Sequence, residues 1–98
     1  MLFMCHGTPK ASMSGEEQEK AIKLFSGWQP PAGLEIKSHH VGPTGEDFVL
    51  VETDSVAMLS EAILMWAPFI SYQVTPVTAV QDGVGSLARA CTTRSALM

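Results

Sequence analysis

Two stretches of the chain follow one plan. Ala21, Leu24, Phe25 and Trp28 recur at the i, i+3, i+4, i+7 spacing of a single helical face, and so do Leu59, Ala62, Ile63 and Trp66. Each quartet ends in tryptophan, and proline follows within a few positions, at Pro30-Pro31 and at Pro68. Proline cannot donate to the helical ladder and disfavours helical geometry in the residue before it, so both helices must stop there. A strand-like run comes next in each case, "LEIKSHHV" (34–41) and "ISYQVTPVTAV" (70–80). The repeated Trp-x-Pro therefore marks equivalent points in two halves of one fold and carries a structural role rather than a ligand platform.

The remaining segments complete the pattern. "MLFMCH" (1–6) reads as a short apolar strand stopped by Gly7-Thr8-Pro9. Ser14-Gly-Glu-Glu17 has the form of a capping box, and Glu16, Glu17 and Glu19 suit the positive end of a helix dipole. Asp54 or Ser55 can cap the second helix. "DFVLVET" (47–53) is apolar on both faces, so a central position covered on both sides is expected. The turn signal Gly42-Pro43-Thr44-Gly45 joins 34–41 and 47–53 in a hairpin. Pro76 requires the last strand to be an edge or to be bulged there. The order β-α-β-β-α-β predicts an α+β, ferredoxin-like domain over residues 1–81. It has a four-stranded antiparallel sheet in the order 4-1-3-2 with two helices on one face. Residues 82–98 read as a linker and a weakly helical tail, with Leu87, Ala88 and Cys91 packed on the body or across a dimer.

Composition narrows the class of protein. Apolar residues make up 46% of the 98 and charged residues only 16%, so the chain carries more apolar surface than a small monomer hides easily. A homodimer is the simplest outlet. The net charge is −4 and the six basic residues are scattered, which argues against nucleic acid and against an anionic membrane surface. "VAMLSEAILMWAPFISY" is interrupted by Ser60, Glu61 and Pro68 and does not read as a membrane span. Cys5 and Cys91 are too few for a disulfide scaffold, and "MLFMCHG" has no signal-peptide form, so a cytoplasmic chain is expected.

"MLFM", "WQPPAGLEIKSHH", "FVLVETDS" and "WAPFISYQVTPV" together resemble a bacterial family of small domains of unknown function in the dimeric α+β barrel superfamily. The resemblance covers about residues 1–80. It implies a homodimer whose two sheets form a barrel. It implies no particular reaction, because the wider superfamily spans cofactor-independent monooxygenases, isomerases, haem-binding proteins and ligand-sensing domains.

In the expected topology the first two strands run parallel, and their C-terminal ends meet at one end of the sheet. That end gathers Cys5, His6, His39, His40, Glu46, Asp47, Ser71 and Tyr72, including all three histidines of the chain. His39 and His40 are adjacent on a strand and point to opposite faces, so only one can face a given pocket. His6, His39 and His40 are the candidates for acid/base work, against the plainer reading of histidines that cap a hairpin or face solvent. Glu52 stands among central-strand valines, either as a solvated strand end or as a buried acid facing a dimer cleft. Met4, Phe48, Trp66 and Tyr72 are the candidate ligand-lining residues. No metal-ligand spacing, no G-x-G-x-x-G and no P-loop is present, so neither a metal nor a cofactor is expected. Three readings follow: a dimeric module that binds a small apolar or aromatic molecule, a cofactor-independent monooxygenase- or isomerase-like enzyme using a histidine, and a protein-interaction module.

Overall fold

A computed structural model describes all 98 residues. The elements are β1 (Leu2–Pro9), α1 (Gly15–Gly27), β2 (Leu34–Val41), β3 (Asp47–Thr53), α2 (Val56–Trp66), β4 (Ile70–Val77) and α3 (Val80–Leu97). The four strands form one antiparallel sheet in the order β2-β3-β1-β4, which runs β4-β1-β3-β2 from the opposite edge. No helix is long and apolar enough to cross a membrane.

The helix starts follow from local chemistry. The Ser14 hydroxyl accepts from the Glu17 amide at 3.2 Å and donates to the Glu17 carboxylate. Ser55, rather than Asp54, caps α2 by accepting from the Met58 amide at 3.1 Å. Gly33 and Gly45 carry positive φ, one in the turn before β2 and one in the β2–β3 turn, where a side chain would be strained.

Strand alternation divides the sheet into two faces. Phe3, Cys5, Val49, Val51, Leu34 and Leu59 form the buried cluster beneath the helices, with Ile36, Met58, Ala62, Ile63 and Tyr72 packed against it. The opposite face carries Met4, His6, Phe48, Leu50 and Glu52, and no element of the chain covers it. Met4 and Phe48 are 36% and 38% exposed. The double-sided apolar character of β3 is thus real in sequence, but only one of its faces is covered within a single chain.

Four expectations need correction. β1 does not stop at Gly7: it continues to Pro9, because β4 keeps pairing with it through Thr8↔Ser71 and Pro9↔Ile70 after β3 has ended at Gly7↔Asp47. The apolar face of α1 is not core. None of its residues is buried, and Phe25 is 55% exposed, because the helix stands off the sheet. Residues 82–86 are not a linker, since α3 runs unbroken through Gly83 and Gly85. Of the two placements expected for 82–98, packing on the body is absent within one chain, where Leu87 is 62% exposed and α3 has no buried residue; packing across a dimer is the other. The radius of gyration is 17.5 Å, against about 13 Å for a compact chain of this length. The helix projects as an arm.

Candidate functional site

Because α1 stands off the sheet, a cavity of about 310 Å³ lies between it, α2 and the covered face. Ala21, Ile22 and Phe25 of α1 and Leu59, Ala62, Ile63 and Trp66 of α2 form its roof. Ile36, Val49 and Val51 form its floor. Trp28 packs edge-on against Trp66 at 5.9 Å between ring centroids, and Phe25 lies 6.1 Å from Trp66 and 5.8 Å from His39. Both repeated tryptophans therefore line the cavity as well as ending their helices.

The polar groups are confined to one end, where His39, Asp47, Tyr72 and Cys5 meet. Strand register explains how. Asp47 of β3 and Tyr72 of β4 are both paired with Gly7 of β1, so the three form one row across the sheet. A Cβ at Gly7 would sit 2.7 Å from both the Tyr72 ring and Ile70 Cγ2. The missing side chain is the space through which the phenol crosses β1. Its hydroxyl donates to Asp47 Oδ2, and His39 Nε2 lies against Oδ1 of the same carboxylate.

A β-bulge decides which histidine takes part. Leu34 and Ile36 face the helices, and simple alternation would make His40 the inward ring. The register shifts between Ile36 and Ser38, and the pairing resumes as Ser38↔Leu50, His39↔Val49 and His40↔Phe48. His39 therefore shares the face of Val49, while His40 shares the open face of Phe48.

Asp47 is only 7% exposed. A buried carboxylate is stable when its lone pairs are occupied, and here each oxygen has a partner. An ionised carboxylate only accepts, so both neighbours donate. That fixes the proton of a neutral His39 on Nε2 and leaves Nδ1 as the basic nitrogen. Burial, together with the hydrogen bond to Asp47 and its charge, raises Tyr72 far above the usual tyrosine range. Burial and the same carboxylate push the Cys5 thiol up, which makes it a poor nucleophile at neutral pH.

The other candidates lie elsewhere. His6 is on the open face, 2.8 Å from Glu46 Oε2 and stacked on Phe48 at 4.8 Å. His40 is exposed on that face too. Met4 and Phe48 do not line the cavity, whereas Trp66 and Tyr72 do. Glu52 is not a cavity acid: it sits at the far end of β3, with Oε1 3.2 Å from the Met1 amino group. Asp47, the residue around which the site is organised, lay within the end of the sheet identified from sequence. Nothing in the sequence distinguished it from Glu46 beside it. No group of three or more metal-ligating side chains is present.

Over residues 1–91 the chain matches the family described as Domain of unknown function (DUF3303), and it belongs to that family. The match runs past β4 into α3. No curated protein and no solved structure matches the chain.

Tyr72 is the only tyrosine, so ultraviolet titration of phenolate reads this site alone. Its ionisation is expected well above the ordinary value of about 10. Asp47→Asn, which removes the charge, and Gly7→Ala, which displaces the ring, should both bring it down. The linked stability has a definite sign. Above pH ~10 the unfolded chain loses the phenolic proton while the folded chain keeps it, so stability falls as pH rises through that range, and falls less in Asp47→Asn.

Proposed function

We propose that this member of the family binds a small, neutral, largely aromatic or apolar molecule in the cavity and transfers a proton on it through His39. The observation that carries this reading is the His39–Asp47–Tyr72 cluster at the sole polar end of an otherwise apolar cavity. A volume near 310 Å³ suits a ligand at the small end of the usual range, which begins at ~300 Å³. The Asp47 charge disfavours an anionic ligand at that end. Simple binding would not call for a buried carboxylate clamped to a histidine, whereas acid/base work does.

In the reaction this geometry supports, His39 Nδ1 takes a proton from a carbon next to a carbonyl. The electron pair moves into the enolate, and Asp47 stabilises the imidazolium that results. The same nitrogen then returns the proton, to that carbon or to a conjugated one. Nothing is oxidised or reduced; return to the same carbon is a hydrogen exchange, and return to the conjugated one is an isomerisation. The neutral phenol of Tyr72 holds the second carboxylate oxygen, which keeps Asp47 from turning away from the ring.

The fold reading belongs with this proposal. The order and layering support a ferredoxin-like unit whose open sheet face, with Met4, Phe48 and Val77 each more than a third exposed, packs against that of a second copy. A barrel of two chains in the cytoplasm is the arrangement we favour.

Deuterium uptake at the acidic carbons of 2-tetralone, a neutral enolisable bicyclic ketone, tests the activity by NMR. The protein should accelerate it, and His39→Ala should lower the rate by ~10²-fold or more while His6→Ala leaves it unchanged. Equal loss in both variants, or no acceleration, would contradict the assignment. For the sheet face, Met4→Cys in a Cys91→Ser background should react with an aromatic disulfide reagent much more slowly when folded than the same variant does in denaturant. A fast reaction at Met4→Cys would leave that face uncovered.

A further inference from the structure

The arm formed by α3 has no role in the cavity and no contact that buries it. Apart from Leu97 at its last turn, its large exposed apolar side chains follow a rule of their own. Val80, Val84, Leu87 and Cys91 are spaced by four, three and four residues, and Arg94 and Met98 continue the series by three and four. This is the alternation of a heptad seam. Val80, Val84 and Leu87 are 76%, 59% and 62% exposed. Arg94 lies back along the same stripe, with Nη2 3.3 Å from Cys91 Sγ.

Such a helix does not stand alone in water. Most helical stability in proteins comes from packing an amphipathic face rather than from propensity, and Gly83 and Gly85 each cost about 1 kcal/mol relative to alanine. The stripe needs a covering surface, and its own spacing describes one.

We propose that α3 pairs with α3 of a second copy in an antiparallel coiled coil centred near Arg89. Charge selects the direction. A parallel pair would set Arg94 against Arg94 within the seam, with like charges opposed. An antiparallel pair sets Leu87 against Cys91, Val84 against Arg94 and Val80 against Met98, and brings the arm's single acid, Asp82, within a turn of the partner's Arg94. The contact is self-complementary, as a two-fold interface must be. It is independent of the cavity and of its chemistry.

Disulfide trapping in the full-length chain tests both the pairing and its direction. Leu87→Cys, with Cys91 retained, places two thiols that face one another only across an antiparallel pair. On one helix, residues four apart sit about 5–6 Å apart at Cβ, too far to bridge. Mild oxidation should give a covalent dimer at least ~10-fold faster than in the unaltered chain or in Leu87→Cys/Cys91→Ser. Far-UV circular dichroism of each variant confirms that the helix is retained. Equally fast cross-linking of the unaltered chain through Cys91 would mean a parallel pair and overturn the proposal. Absence of a covalent dimer in a folded Leu87→Cys variant would overturn the pairing itself. Cys5, at 2% exposure, does not compete.

Discussion

Asp47 is the one carboxylate buried in the chain, and the site is arranged around what a buried carboxylate requires. Left unpaired it would cost several kcal/mol or take up a proton. His39 and Tyr72 meet that requirement from two different strands, and neither could do so without a feature in a third place. Tyr72 reaches the carboxylate because Gly7 leaves β1 without a side chain at the crossing. His39 reaches it because the bulge after Ile36 turns that ring, and not its neighbour, toward the helices. The same carboxylate holds the His39 ring at the edge of an apolar cavity.

The sheet keeps two separate sets of histidines on its two faces. On the covered face His39 meets a carboxylate, aromatic rings and a cavity. On the open face His6 pairs with Glu46 and stacks on Phe48, and His40 is paired with that same Phe48 in the register. The side chains of one short strand end thus serve two environments, and alternation along the strand is what separates them. A histidine held by a carboxylate inside a cavity and a polar fringe around an apolar sheet face are different environments, and substitutions on one face should leave the other intact.

Much of this architecture was legible in the sequence, for identifiable reasons. Helical periodicity, caps and prolines placed α1, α2 and the hairpin, because those signals are local. The end of the sheet where His39, Asp47 and Tyr72 meet followed from the direction of the strands. What could not be read depended on pairing. The bulge has no composition signal of its own, and the parity of Leu34 and Ile36 pointed to His40. Gly7 looked like a strand terminator, whereas its small size serves Tyr72 on the neighbouring strand. Glu52 drew attention as a carboxylate among valines, but its parity puts it on the open face, and Asp47 at the other end of the same strand is the buried one. The two glycines of α3 suggested a linker, but the helix runs unbroken through both.

The central claim is that His39, and neither other histidine, lines the cavity, with its Nε2–H held by Asp47. Nitrogen-15 NMR of the imidazoles during titration with 2-naphthol, a neutral bicyclic probe, tests it most directly. The claim requires His39 to show the Nε2–H tautomer and to shift on binding, while the His6 and His40 signals stay in place. A response from His6 or His40 with His39 unmoved would contradict it.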